Sequence, residues 1–456
     1  MREEPHILLQ IEKRYQVEQI RANGLPLWPF MRNHIGSYLT FQRGIEAEIT
    51  TGVTFQLIKN LGFGFWNLFK PARSVFMSSK DQRKFINGVY VDRMNYYIDA
   101  LGEDRHIFIE QPSLDHFPYR KTKGKNNVSK TWFNLIERIY ALFISVEITG
   151  EEILQQLLSD YDIPLNYRQK AKKFIAQYRV SQFFFKRKKS AYFFCTTAYM
   201  NTPRIKAAKE LQIEVVEFQH GIINENHYGY NLCKTIDPQC YPDYLLTFGE
   251  KEREVFPESN HYVAQERVLP IGSFYIDHLL ENPTEKHPLI QQLRKQYTLI
   301  IAFSCQDAME TLWVPFLKSV AENDPRNAYI LMPRHKTMKA YAPYHFPSNV
   351  YGIPDLNTYQ IIQQANIHST INSTTAIEAL ALGTPNILLN INNLSVRYTE
   401  KMHLKFTHYA ATPEAFLHHL KHFTQPERAE VIQSNKQNIV PSFTKRIPGI
   451  IKILRG

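Results

Sequence analysis

The chain has 456 residues, 44% apolar and 21% charged, with 18 Gly and 25 Pro. These values exclude a disordered, collagenous or low-complexity protein, and the length exceeds what one hydrophobic core usually holds, so two domains are expected. Lys and Arg number 54 against 43 Asp and Glu, a formal charge of +11 with a pI near 9.2. That balance favours an anionic partner, whether nucleic acid, a phosphorylated small molecule or an acidic membrane surface. The opening segment MREEPHILLQIEKRYQ is charged and lacks the apolar core of a signal peptide, and no run approaches about 18 apolar residues, so no transmembrane helix is expected. Ile7 to Ile11 reads as a short strand, and Trp28 to Leu39 as a helix after Pro26. Phe55 to Met77 is apolar with Lys59, Lys70 and Arg73. It reads as a buried helix pair, or as a segment lying on a membrane with Trp66 and the Phe residues inserted and the cations on headgroups. Gly88 to Asp92 and His106 to Glu110 read as short strands ending in a carboxylate. Basic clusters at Arg120 to Lys125 and Lys186 to Lys189 each suit a solvated face, and together suit a protein beside anionic lipid.

From Ala191 strands alternate with helices of about ten residues, a pattern of right-handed crossovers and parallel sheets. AYFFC, IEVVEF, DYLLTFG and RVLPIGS read as strands, with the helix TPRIKAAKELQ between the first two. YTLIIAFS, AYILMPRHK, IHSTI and NILLNI read as further strands, separated by the helices TLWVPFLKSVAEN, NTYQIIQQA and TTAIEALALG. The expected fold is α/β, two doubly wound Rossmann-like domains facing a cleft, with ligand outside the strand carboxyl ends. The expected division is 1–250, 251–435 and a helical tail 436–456 packing back on the first domain. Cys195, Cys233, Cys240 and Cys305 lack CxxC spacing, which argues against a disulfide framework or a Cys-based zinc site.

His368 to Leu389, HSTINSTTAIEALALGTPNILL, is the most informative segment. A strand runs into Asn372, Ser373, Thr374 and Thr375 and a helix begins at once, which offers hydroxyls and backbone N–H groups to a phosphate. Glu378, one turn into the helix, is placed to accept from a ribose hydroxyl. STTAIEALALGTPNI resembles the donor-side signature of glycosyltransferase-B enzymes, including the Gly-x-Pro turn at Gly383 to Pro385. Upstream, IEVVEFQHGIINENHYGY resembles the "QHG" segment of bacterial capsule and surface-polysaccharide biosynthesis proteins, and DYLLTFGEKEREVF and LPIGSFYID follow in the same order. The resemblance spans roughly Ala191 to Ile391. Met332 to Lys336, MPRHK, is distantly similar to the strand end of transferases using CMP-linked sialic acid or Kdo, but lacks their His-Pro pair.

The resemblance implies a nucleotide-sugar-binding second domain and an acceptor-side first domain. Ser304, Gln306, Arg334, His335, Lys336, Ser373, Thr374, Thr375 and Glu378 are the donor-binding candidates, with the cations placed to neutralise phosphates. His220, beside Gly221, is a candidate base or donor, and Glu110, Asp115 and Asp92 are candidate bases or nucleophiles. Gln219, Gly221 and Glu225, with Asn224 and His227, are candidates for lining the crevice. There is no Asp-x-Asp motif and no close His/carboxylate cluster, so neither a metal nor another cofactor is expected.

The function this implies is transfer of a sugar from a nucleotide donor to a growing capsule or lipopolysaccharide glycan. The protein would be cytoplasmic and peripheral at the anionic inner face of the cytoplasmic membrane, where lipid-linked acceptors are found. A CDP-polyol phosphotransferase of the teichoic-acid type and a nucleotide-sugar epimerase are alternatives sharing the architecture. A nucleic-acid-binding protein or a non-catalytic assembly partner are the alternatives outside enzymes. The dispersed positive charge and the lack of an RNA-recognition, zinc-finger or helix-turn-helix signature argue against nucleic acid.

Overall fold

The computed structural model describes residues 4–41, 53–102, 104–234, 236–334 and 336–455. It divides into two units, 1–247 with 252–270 and 444–456, and 248–251 with 271–443.

The first unit is built on seven strands: β1 (Ser74–Ser79), β2 (His106–Gln111), β3 (Asn127–Ser129), β4 (Tyr192–Thr196), β5 (Glu214–Phe218), β6 (Tyr244–Thr247) and β7 (Val268–Pro270). All are parallel, in the order β7-β6-β5-β4-β1-β2-β3. Strands covered on both faces read as continuous apolar runs, and alternate side chains go to opposite faces. Val75 and Met77 therefore pack with Ile107, Ile109, Phe193 and Val215. Phe76, between them, stacks on Phe194 at 4.5 Å.

The second unit carries β8 (Ile300–Ser304), β9 (Ala328–Met332), β10 (Val350–Gly352), β11 (Ile367–Ser369), β12 (Asn386–Leu389) and β13 (Thr407–Ala410). These are also parallel, in the order β10-β9-β8-β11-β12-β13. Ile301, Phe303, Tyr329, Leu331 and Ile387 pack against Trp313 and Leu317 of the helix Glu310–Asn323. This is the two-domain Rossmann-like α/β fold expected from the sequence.

In each sheet the chain winds outward from one strand and then returns to that strand's other side. Beginning at β8 it adds β9 and β10, then crosses back to place β11 against β8. In the first sheet β4 returns to β1 in the same way. At such a switch point the neighbouring connections leave toward opposite faces, and a crevice opens at the strand carboxyl ends.

Several expectations from the sequence need correction. Ile7 to Ile11 lies within a helix, Glu4–Arg14, because Leu8, Ile11 and Tyr15 at helical spacing enter a core shared with Trp28, Met31 and Phe174. That core also holds a Glu12–Arg32 ion pair at 2.6 Å. Phe55 to Met77 is not a buried helix pair: it contains the end of the helix Val53–Gly62, a 3-10 turn at Phe65–Phe69 and the first part of β1, with Trp66 and Phe69 exposed. The first sheet runs past position 250, because β7 pairs with β6 through Leu245 and Val268. Strands β3, β10 and β13 are short and poor in β-branched runs, so the sequence does not announce them. The final helix, Phe443–Arg455, belongs to the first unit from Thr444 onward, where Tyr192 donates to the Leu454 carbonyl at 3.2 Å and Arg455 to the Leu101 carbonyl at 2.9 Å.

Candidate functional site

The loops leaving β8 and β11 meet at the switch point of the second sheet. Gln306, two residues past β8, donates to the Asn372 carbonyl at 2.6 Å and to Asn372 Oδ1 at 2.8 Å. It also accepts from the Asn372 N–H at 3.2 Å. This staple fixes the turn that carries Ser373, Thr374 and Thr375, all partly exposed. Ser373 Oγ accepts from the Thr375 N–H at 3.3 Å, and Thr375 Oγ1 is buried with no hydrogen-bond partner among the described residues. A buried hydroxyl left in this state costs about 1–3 kcal/mol, a penalty that a bound polar atom would relieve. The following helix, Thr375–Ala381, has only seven residues and no side-chain cap. The expected dipole contribution is therefore small, and the loop itself provides the polar groups.

Behind the loop lies a relay absent from the sequence reading. Asn386 Nδ2 donates to the Ala376 carbonyl at 2.9 Å, which leaves its Oδ1 to accept from His368 Nδ1 at 2.8 Å. His368 Nε2 then accepts the Ser304 hydroxyl proton at 2.9 Å. Burial pushes His368 down to about 4, so the ring is neutral and the direction of the relay is fixed. The proton of the buried Ser304 hydroxyl is thus committed to His368 and not left for a phosphate, which departs from its expected role.

Glu378 is buried and accepts from the Tyr359 hydroxyl at 2.9 Å. Lys336 donates to both carboxylate oxygens of Glu310 at 2.7 Å, a pairing that raises its pKa and uses its charge within the protein. Arg334 is exposed in the same basic turn, while His335 lies outside the described residues. The turn after the short helix needs Gly383: its φ is +82°, and a Cβ would fall 2.1 Å from Arg428 Cγ.

In the first unit His220 is exposed at the carboxyl end of β5. Arg93 donates to the Gln219 carbonyl at 2.7 Å and to Gln82 Oε1 at 2.6 Å, and this leaves Gln82 Nε2 facing His220 Nδ1 at 3.2 Å. Since Gln82 can only donate there, neutral His220 carries its proton on Nε2. The geometry equips it as a hydrogen-bond donor, not as a base. Gln219 is fully buried and donates to Glu252 Oε1 at 2.7 Å and to the Gly221 carbonyl at 2.8 Å. It shapes the loop from inside and does not line a crevice. Gly221 is partly exposed and Glu225 exposed, whereas Asn224 is buried and burial pushes His227 down to about 4.

The strand-end carboxylates are structural. Glu110 is fully buried between Arg83 and His116, the latter at 2.6 Å. Burial alone would raise its pKa, but the His116 hydrogen bond and the Arg83 charge outweigh it and hold the carboxyl below its usual range. Asp92 caps the helix Arg93–Leu101 through the Met94 N–H at 2.8 Å and accepts from Ser78 at 2.7 Å. Neither is free to take a substrate proton. Asp115 is partly exposed, but Lys80 at 2.7 Å and Lys59 at 3.2 Å lower its pKa and weaken it as a base. Among the described residues no group of three His, Cys, Asp or Glu is placed to hold a metal ion.

No protein-family model matches the chain, and no curated protein sequence matches it. Solved structures do. UDP-GlcNAc 2-epimerase from Methanocaldococcus jannaschii aligns with a TM-score of 0.51 at 12% identity, over 84% of this chain and 99% of that one. The S. aureus MnaA–UDP structure aligns with a TM-score of 0.50 at 11% identity, over 84% and 96%. The wall teichoic acid polymerase TagF, in a structure soaked with CDPG, aligns with a TM-score of 0.46 at 12% identity, over 94% and 96%. At these identities the first two show a shared fold: two Rossmann-like α/β domains.

Proposed function

We propose that the protein is a glycosyltransferase that moves a sugar from a nucleotide-activated donor to a growing bacterial surface polysaccharide, at the inner face of the cytoplasmic membrane. The observation that carries this reading is the stapled hydroxyl loop 372–375 at the switch point of the second sheet, the place where doubly wound sheets hold nucleotides. The structures sharing the fold are named for UDP-GlcNAc or hold UDP, which supports a nucleotide as the ligand.

In this reading Ser373, Thr374 and Thr375 donate to the donor phosphates, and Arg334 neutralises them. Ser304, turned into an acceptor by His368, and Glu378 beside Tyr359 receive ribose hydroxyls. His220, in the first unit, donates its Nε2 proton to an oxygen of the acceptor.

The test is thermal unfolding of the full chain with CMP, CDP and UDP. A nucleotide-specific rise in the midpoint, diminished in Arg334→Ala, is expected. Stabilisation by a single-stranded oligonucleotide with none by the nucleotides would replace this reading with a nucleic-acid-binding one.

A further inference from the structure

We propose that one face of the first unit, formed by residues 57–73, 131–143 and 177–190, docks on the surface of an anionic phospholipid bilayer. This rests on its own observations, independent of the donor-site reading. Large apolar side chains belong in the core of a water-soluble domain, and single exposed ones need no explanation, but a cluster does. Among the described residues thirteen large apolar side chains are exposed, and nine of them lie on these three segments. Trp66 is 78% exposed, Phe69 66%, Phe143 82% and Phe183 70%.

The segments are neighbours in space. The Phe65 ring lies 5.1 Å from Trp66, 5.4 Å from Phe69 and 4.9 Å from Trp132. Trp132 in turn donates to the Leu61 carbonyl at 2.7 Å. Phe133 packs on Phe184 at 4.9 Å, and Lys188 donates to the carbonyls of Leu68 and Lys70. From Trp132 the positions 136, 139 and 143 continue one stripe at helical spacing, and Ile136, Ile139 and Phe143 along it are exposed. The opposite side of this helix is the inner one, where Phe133 is buried and Glu137 pairs with Arg204 at 2.6 Å.

Charge selects the occupant. The three segments carry nine Lys and Arg against a single acidic residue, Glu137, which is buried in that ion pair. Lys186, Arg187 and Lys189 are exposed at the end of the helix whose Lys188 grips the Phe65–Phe69 turn, so the cations rim the aromatic cluster. Aromatic side chains that enter the headgroup region, with lysines and arginines around them, are the composition of an interfacial anchor. A second copy of this face would instead bring like charges together. None of the described helices is long and apolar enough to cross a membrane, so the contact is with the surface.

The experiment is flotation of the full-length chain with phosphatidylcholine vesicles, with and without phosphatidylglycerol. Binding to the phosphatidylglycerol vesicles alone is expected, weakened by raised salt. Trp66→Ser combined with Phe143→Ser should lower vesicle affinity by roughly tenfold or more while the thermal midpoint stays unchanged, since both side chains are exposed. Phe85→Ser, an exposed aromatic elsewhere, should bind as the parent does. Absence of parent binding to phosphatidylglycerol vesicles, or parent-like binding by the double variant, overturns the proposal. So does conversion of a dimer to a monomer by the double variant with vesicle binding intact. Nucleotide is absent throughout, so a negative result leaves the donor reading standing.

Discussion

Replacing Gln306 with Ala removes the three hydrogen bonds, at 2.6, 2.8 and 3.2 Å, that fix the Asn372 turn. A protein hydrogen bond contributes about 0.5–1.5 kcal/mol net, and these groups are partly exposed, so water replaces some of what is lost. The expected loss of stability is about 1–2 kcal/mol, or a few degrees in the midpoint for a unit of this size. The ligand must then order the loop itself. If that ordering costs about 1.4 kcal/mol, nucleotide affinity falls roughly tenfold. Gln306→Glu should be worse, because its carboxylate faces the Asn372 carbonyl and amide oxygens and repels phosphate. Isothermal titration with the nucleotide that raises the parent's midpoint reads the affinity, and calorimetric unfolding reads the stability. Affinity within about twofold of the parent, alongside the lowered midpoint, would refute the reasoning: the staple would then be purely structural and the nucleotide would bind elsewhere.

Three further outcomes are expected. If His220 acts as a donor through Nε2, His220→Gln retains an N–H and should keep more turnover than His220→Ala; equal loss in both, measured as kcat at saturating donor, would favour a base. Burial raises the Glu217 carboxyl from 4.5 to about 7, although hydrogen bonds from Tyr262, the Ala198 N–H and Tyr230 oppose the shift. The folded state then keeps a proton that the unfolded chain releases, so stability should fall as pH rises from about 4.5 to 7, by on the order of 3 kcal/mol. Denaturation across that range should show the slope in the parent and a flatter profile in Glu217→Gln, and identical slopes would contradict it. Glu110→Gln leaves the Arg83 guanidinium buried without its counter-charge and should cost about 3–5 kcal/mol, so a parent-like unfolding midpoint would falsify the structural assignment of Glu110.

The second unit is the more legible half because its strands and helices alternate with little interruption. Its β-branched and aromatic runs mark buried parallel strands, and Gly383 marks the end of a helix. The first 190 residues are opaque for physical reasons. Leu8, Ile11 and Tyr15 show helical spacing only once Trp28 and Phe174 are known to cover them. The candidate site shows the same limit. The hydroxyl cluster at 373–375 stands out as sequence, whereas Arg93 and Gln82 reach His220 through hydrogen bonds between separate loops. A signal for the His368 relay is nevertheless present: a histidine in IHSTI and an asparagine in NILL are polar residues in strands that otherwise read as core, and buried polar groups require partners.

Both sheets wind the same way and each has a switch point, so topology alone does not say which one receives an anion. The donors in the connecting loops do. In the first unit the loop after β1 offers Lys80, but its ammonium is engaged by Asp115 at 2.7 Å and lies 4.5 Å from the centre of the Phe117 ring. The loop after β4 offers the Ala198 N–H, which the Glu217 carboxyl takes at 2.8 Å. The protein's own acids thus occupy the groups that a phosphate would need. In the second unit the loop after β11 carries Ser373, Thr374 and a Thr375 hydroxyl with no partner among the described residues, and Gln306, beside Asp307 in the loop after β8, satisfies the turn with a neutral amide rather than a carboxylate. The first unit's donors are thus engaged by its own side chains, whereas the second unit presents hydroxyls on a turn held by a neutral amide, and the proposal places the nucleotide at the loops after β8 and β11 on that contrast.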